Sequence, residues 1–320
     1  MTTHAHGDNA HSKYDRLIAR AKAIRPARTL VVHPCDESSL EGVIEAANSG
    51  LIDPVLIGPA AKIREEASKH SLDIAKYEII DAPHSEAAAA KAVELVHEAK
   101  GEILMKGSLH TDELMRAVTA KVGGLRTDRR ISHVFVMDVP AYAETLFVTD
   151  AAINIFPDLD CKRDIIQNAI DLFRMAHFGT APRVAILSAV ETVTLKIPST
   201  IEAAALCKMA DRGQITGGIL DGPLAFDNAV DPEAARIKGI KSEVAGRAQI
   251  LVVPDLEAGN MLAKNLAYFA KADSAGLVLG ARVPIVLTSR ADSLRARMAS
   301  CAVAALYADA RRRRAAGVTT

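Results

Sequence analysis

Thr288, Ser289 and Arg290 stand where the apolar run Ile285-Val286-Leu287 gives way to a helical period that continues to about Arg312. A short apolar run of this kind reads as a buried strand. A hydroxyl and a guanidinium are therefore expected where a strand hands over to a helix, on the rim where open α/β sheets collect ligands. Arginine offers a rigid fork of donors that matches a pair of oxyanion oxygens. A lone Ser-Arg pair is more often a surface ion pair, but this one has company. Other expected strand ends carry Lys106-Gly107-Ser108, Thr149-Asp150, Ser188, Asp221-Gly222-Pro223 and Pro254-Asp255, the last followed by Glu257 and Asn260. Any tight turn uses Gly, Pro and Asp. Six such ends in series point further, to a rim where glycine lets the backbone approach a ligand and helix N-termini attract anions.

The elements that must position these groups alternate. Helical stretches are expected near 12–25, 38–50, 60–70, 85–100, 111–122, 161–178, 199–212, 231–238 and 258–271, with short apolar strands between them. Strands separated by helices of ten or more residues imply a parallel sheet covered on both faces. Ser38 to Glu41 and Ser199 to Glu202 have the form of capping boxes. The stretch GGLRTDRR at 123–130 breaks the alternation. After it, 131–137 and 146–148 are strands with no room for a helix between them, which suggests a hairpin or a crossing between domains.

The length of 320 residues suits about two domains. Lys plus Arg and Asp plus Glu are both 39, so no net field calls for nucleic acid or a membrane surface. Aromatics are 4% with no Trp, against the stacking platforms of single-strand binders. Cys35, Cys161, Cys207 and Cys301 are scattered, as expected of buried thiols in a reducing, cytoplasmic compartment. No apolar run reaches membrane-spanning length, and the polar segment carrying His4, His6 and His11 reads as a disordered leader. His33, His110, His133 and His177 show no metal spacing, and no G-x-G-x-x-G or Walker motif is present.

Three segments carry a resemblance: DGPLAFDNAV at 221–230, KGIKSEVAGRAQILVVPDLEAGNMLAKNL at 238–266 and PIVLTSRADS at 284–293. With MKGSLHT at 105–111, ISHVFVM at 131–137 and TDAAINIFP at 149–157, the chain resembles the phosphate acetyltransferase and phosphate butyryltransferase family. The phrases LHT, SAVE, PST and SRADS look closer to the butyryl branch. The resemblance implies two doubly wound α/β domains with a cleft between them, of the isocitrate/isopropylmalate dehydrogenase-like architecture. Domain one would comprise 1–143 plus 284–320, and domain two 144–283. It also implies reversible transfer of a short acyl group between coenzyme A, a substrate rather than a prosthetic group, and phosphate. A homodimer without metal is expected.

On that resemblance Ser289 and Arg290 match the family's catalytic pair. The acetyl branch carries an aspartate six residues after the arginine, where this chain has Ala296. A free thiol is only a few per cent thiolate at neutral pH, so a proton acceptor is wanted. Asp292 is the candidate, although a carboxylate beside a helix start is also explained by the dipole alone. Lys106, Thr149, Asp150, Asp221, Glu257, Asn260 and Arg130 are the expected substrate-binding positions. For each a plainer role exists: a snorkelling lysine, turn caps, a solvated loop. A second reading is an acyl-CoA sensor without turnover, which the absence of a carboxylate at Ala296 would fit. A metal-dependent dehydrogenase using Asp221, Asp227 and Asp231 ranks last, because these do not form an obvious ligand set.

Overall fold

The computed structural model describes residues 12–287 and 292–317. The histidine leader and Thr288, Ser289, Arg290 and Ala291 lie outside the described residues. The strands are β1 (Ala27–Val32), β2 (Ile52–Gly58), β3 (Glu78–Asp81), β4 (Ile103–Lys106), β5 (Ser132–Asp138), β6 (Leu146–Thr149), β7 (Arg183–Leu187), β8 (Ile219–Leu224), β9 (Ile250–Val252), β10 (Asp273–Leu279) and β11 (Ile285–Val286). The helices are α1 (Ser12–Lys22), α2 (Glu37–Asn48), α3 (Ala60–Lys69), α4 (Ser85–His97), α5 (Thr111–Thr119), α6 (Leu159–Met175), α7 (Pro198–Asp211), α8 (Phe226–Val230), α9 (Pro232–Ile237), α10 (Leu256–Tyr268) and α11 (Leu294–Ala315).

Among the described residues all eleven strands join one mixed sheet, in the order β3-β2-β1-β4-β11-β10-β5-β6-β9-β7-β8. The first five in that order are mutually parallel. The last four are also parallel to one another. Between them β10 is antiparallel to both β11 and β5, and β5 is antiparallel to β6. Three reversals leave the two parallel groups pointing in opposite directions. Their carboxyl ends therefore lie on opposite rims, and the six strand-end turns do not share one edge. The β5–β6 pair is an antiparallel hairpin, one of the two arrangements that the missing helix suggested.

Strict alternation along the strands sorts the side chains onto two faces. On one face Val31, Met105, Leu277, Val134, Phe147, Val184 and Ile250 belong to one continuous core with α1, α2, α3, α6, α7 and α11. On the other face the core is split. Leu30, Leu104, Val278 and Ile285 pack under α4 and α5, whereas Met137, Val148, Ala185 and Leu251 pack with α8 and α10. The parallel pattern put helices on both faces, as expected of strands apolar on both sides.

Two helix starts differ from expectation. Asp36, with extended φ −141° and ψ 160°, caps α2 by accepting from Ser39 N at 2.8 Å, so Ser38 is already inside the helix. The cap position of α7 is Ile197, followed by Pro198, whose fixed φ suits a first helical turn. Thr200 instead donates its hydroxyl to the carbonyls of Thr194 and Ile197, and Glu202 pairs with the buried Lys162. Local side-chain bonding decided both starts over the sequence pattern. Cys35, Cys161 and Cys301 are buried, Cys207 is partly so, and all four thiols are free.

Candidate active site

Where the split face divides, a trough of about 950 Å³ opens. Its floor is laid by the pleat. Phe135 on β5 lies opposite Gly276 on β10, and His133 lies opposite Val278, so the two aromatic side chains share the trough face with Ser274. Lys106, the last residue of β4, and Leu287, just past β11, continue the floor.

One wall comes from the β4–α5 turn. Gly107 N donates to Val32 O at 2.9 Å, and a Cβ on Gly107 would sit 2.5 Å from that same oxygen, so only glycine fits. Ser108 Oγ donates to His33 O at 2.8 Å. The Lys106 ammonium donates to Gly107 O at 3.2 Å and Leu109 O at 3.1 Å, which holds a cation at the trough edge beside His110 and Thr111. The opposite wall is one side of α10: Asn260, Ala263, Lys264, Ala267 and Tyr268 recur at the spacing of a single helix face. Asp255 caps α10 by accepting from Ala258 N at 2.9 Å, and Asn260 Nδ2 donates to Ala151 O at 3.3 Å. At the end of the trough α11 begins. Ser293 caps it, accepting from Ala296 N at 3.1 Å, and Asp292, Ser293 and Ala296 all line the trough.

The structure thus brings together Lys106, Asn260 and Asp292 from the expected set. The position of the acetyl branch's aspartate, Ala296, presents only a methyl group to the same space. Leu287 and Asp292, which bracket the segment containing Ser289 and Arg290, both line the trough.

The other expected residues lie outside its wall. Thr149 is buried and donates its hydroxyl to His133 O at 2.7 Å. Asp150 is 2% exposed and caps a turn, accepting from the amides of Ala152 at 2.9 Å, Ile153 at 3.1 Å and Asn154 at 3.2 Å, and from Asn154 Nδ2 at 2.6 Å. Asp221 accepts from Gly222 N at 2.8 Å on the edge strand β8. Glu257 is exposed on the first turn of α10. The exposed Arg130 meets Asp164 through its backbone amide at 3.0 Å. Among the described residues no group of three or more His, Cys, Asp or Glu side chains is placed to hold a metal.

Sequence reasoning missed His133 as a floor residue. It is 3% exposed, and its Nδ1 is buried without a hydrogen-bond partner. Burial pushes its pKa down to about 4, outweighing the nearby negative charge of Asp150, so the ring is neutral near pH 7. The signal was present: Ser132-His133 is a polar pair that opens a strand whose next four residues are apolar.

In chemical terms the trough offers an apolar floor, lysines from both walls and two helix N-termini. Its size suits a ligand that is part apolar and part anionic.

The sequence pattern of the phosphate acetyl/butaryl transferase family matches residues 85–305. A phosphate acetyltransferase of Rhizobium meliloti is 74% identical over 96% of this chain and 96% of its own length. A phosphate butyryltransferase of Clostridium beijerinckii is 41% identical over 92% of this chain and 97% of its own. The crystal structure of a branched-chain phosphotransacylase from Enterococcus faecalis superposes with a TM-score of 0.77 at 27% identity, covering 88% of this chain and 99% of that one. Family pattern, near-full-length relatives and shared fold agree: the chain belongs to the phosphate acetyl/butaryl transferase family, whose members transfer an acyl group reversibly between coenzyme A and phosphate.

Proposed function

We propose that this transfer takes place in the trough, by direct attack of the CoA sulfur on an acyl phosphate with both substrates bound. The observation that carries the reading is the meeting of Lys106, Asp292 and the start of α11 with one face of α10 in a single cavity. A phosphate group is attracted by Lys106 and by the N-terminus of a 22-residue helix. Ser289 and Arg290 hold the acyl-phosphate oxygens, and the lining positions of Leu287 and Asp292 on either side of them support this. Asp292 accepts the thiol proton in place of the carboxylate that Ala296 does not supply.

Acetyl is the preferred acyl group on this reading. The relative at 74% identity is named an acetyltransferase, whereas the butyryl-named one stands at 41%. Overall identity is thereby set above the phrases that looked butyryl-like. The split core supports a two-domain division at about 143/144 and 283/284 with the trough as the cleft. Free thiols throughout support a reducing, intracellular setting, and the family resemblance supports a homodimer. No helix among the described residues is long and apolar enough to cross a membrane.

The test is thioester formation from acetyl, propionyl and butyryl phosphate, with phosphate release followed in parallel. Equal yields of thioester and phosphate, with the highest kcat/KM for acetyl, are expected. Absence of turnover in folded protein that binds CoA would overturn the reading. A larger kcat/KM for butyryl phosphate would restore the butyryl preference.

A further inference from the structure

We propose that His133 is a catalytic residue, its imidazole N–H donating a hydrogen bond to the carbonyl oxygen of the acyl group as that oxygen gains negative charge. The inference rests on the acyl-transfer reading and names a residue which that reading does not require. Its warrant is the geometry of the trough floor. The ring is gripped from two sides. Phe135 meets it edge-on, with centroids 4.4 Å apart and planes at 70°. Across the strand Gly276 leaves room for it: a Cβ there would lie 3.0 Å from Nε2. The ring therefore has a fixed place on a central strand, yet its Nδ1 has no partner. Buried polar atoms in native proteins are nearly always paired. With Nδ1 closed off and unpaired, the proton of the neutral ring is assigned to Nε2, on the Gly276 side, and because the ring lines the trough a ligand there is the partner for that N–H.

The charge state decides between donor and base. Charged and titratable groups around the trough are Lys106 from β4, His110 before α5, Lys264 and Tyr268 from α10, Asp273 from β10 and Asp292 before α11. Asp150, at the end of β6, acts on the ring electrostatically and favours its protonation, but burial prevails. The imidazole stays neutral through the working range, so it polarises a carbonyl without serving as an acid. A base with such a low affinity for protons would be badly matched to a thiol. In the transfer the S–C bond forms and the C–O bond to phosphate breaks. Phosphate leaves with the bonding pair, the thiol proton passes to Asp292, and the His133 proton stays where it is.

The test compares His133→Phe, which has no donor, with His133→Gln, which keeps an N–H, using acetyl phosphate and CoA. For His133→Phe kcat should fall about 10²–10³-fold while both KM values stay within about threefold. His133→Gln should recover at least about tenfold of that loss. An unchanged kcat in His133→Phe overturns the assignment, and so does a Gln variant as poor as the Phe variant. Failure of the wild-type protein to transfer acyl groups would instead overturn the underlying reading. A measurement on the wild-type chain covers the case in which a variant does not fold. The carbonyl stretch of bound acetyl-CoA should move to lower frequency than in water, and the His133 ring should be neutral by NMR at pH 6. An unshifted stretch or a protonated ring overturns the proposal.

Discussion

The two faces of the sheet are built from the same strands and serve opposite ends. On the continuous face every strand gives its alternate side chains to one core, closed by α1, α6 and α11. On the divided face two cores stop short of each other, and the gap between them is the trough. The division falls over β10 and β5, where strand direction reverses. Parallel strands bring crossover helices with them, which cover the sheet. Antiparallel neighbours need none, so the centre of the divided face is left uncovered. A change of strand direction leaves room for the trough, and a continuous core backs it on the other face.

If the faces divide labour in this way, substitutions should separate stability from activity. Phe147, fully buried on the continuous face against Phe173 at 5.4 Å and Phe178 at 5.1 Å, tests the first half. Phe147→Ala should cost about 3–5 kcal/mol in denaturant unfolding, with turnover per folded molecule little changed. A large fall in turnover per folded molecule would mean that the faces are coupled.

Next in size is Arg290→Lys, which keeps charge but loses the fork. Turnover should drop by about 10²-fold or more with the melting temperature unchanged. Near-full activity would remove Arg290 from the acyl phosphate.

His133 gives a pH test that sits between the faces. Its folded pKa of about 4 lies below the ordinary 6.5. The unfolded chain therefore takes up a proton between those values and the folded chain does not, so stability falls as pH drops from 6.5 towards 4. The loss should reach about 3 kcal/mol in the wild type and be smaller by that amount in His133→Gln. Equal pH dependence in the two proteins would show that the buried ring is not the cause.

The smallest effects concern the rims. Lys106→Met should raise the KM for acyl phosphate about tenfold with kcat nearly intact, whereas Asp221→Asn, at the far edge of the sheet, should change neither parameter beyond about twofold. Equal effects at both positions would erase the distinction between the trough and an ordinary strand end.

Much of this was legible before any coordinates. Apolar runs bounded by turn residues placed β7 at Arg183–Leu187 without error, and the absence of a helix between Met137 and Leu146 left a hairpin or a domain crossing, of which β5–β6 pairs as a hairpin. Lys106, Asn260 and Asp292 were legible as a strand end and two helix starts, and the structure puts all three on the trough. Asp221 and Glu257 were drawn into the same set because turn chemistry looks alike at every strand end, and only the fold shows that Asp221 stands on an edge strand and that Glu257 is exposed on the helix whose Asn260 lines the trough. Strand direction depends on contacts between residues far apart in sequence, which no local pattern encodes. His133 was passed over because a histidine in a buried strand reads as core until its partners can be counted.

The helix that opens at the trough is fastened at its other end. Arg312, near the end of α11, grips both oxygens of Glu102 at 2.9 and 3.0 Å. Glu102 also holds Arg25 at 2.9 Å and the Arg28 amide at 2.9 Å. At 22 residues the helix is a rod about 33 Å long. With the far end as pivot, a tilt of about one degree sweeps the near end through roughly 0.6 Å, which is already the tolerance within which reacting groups must be held. The arginine-glutamate clasp is therefore a fulcrum: a contact on the rim opposite the trough sets how finely Asp292 and its neighbours can be placed.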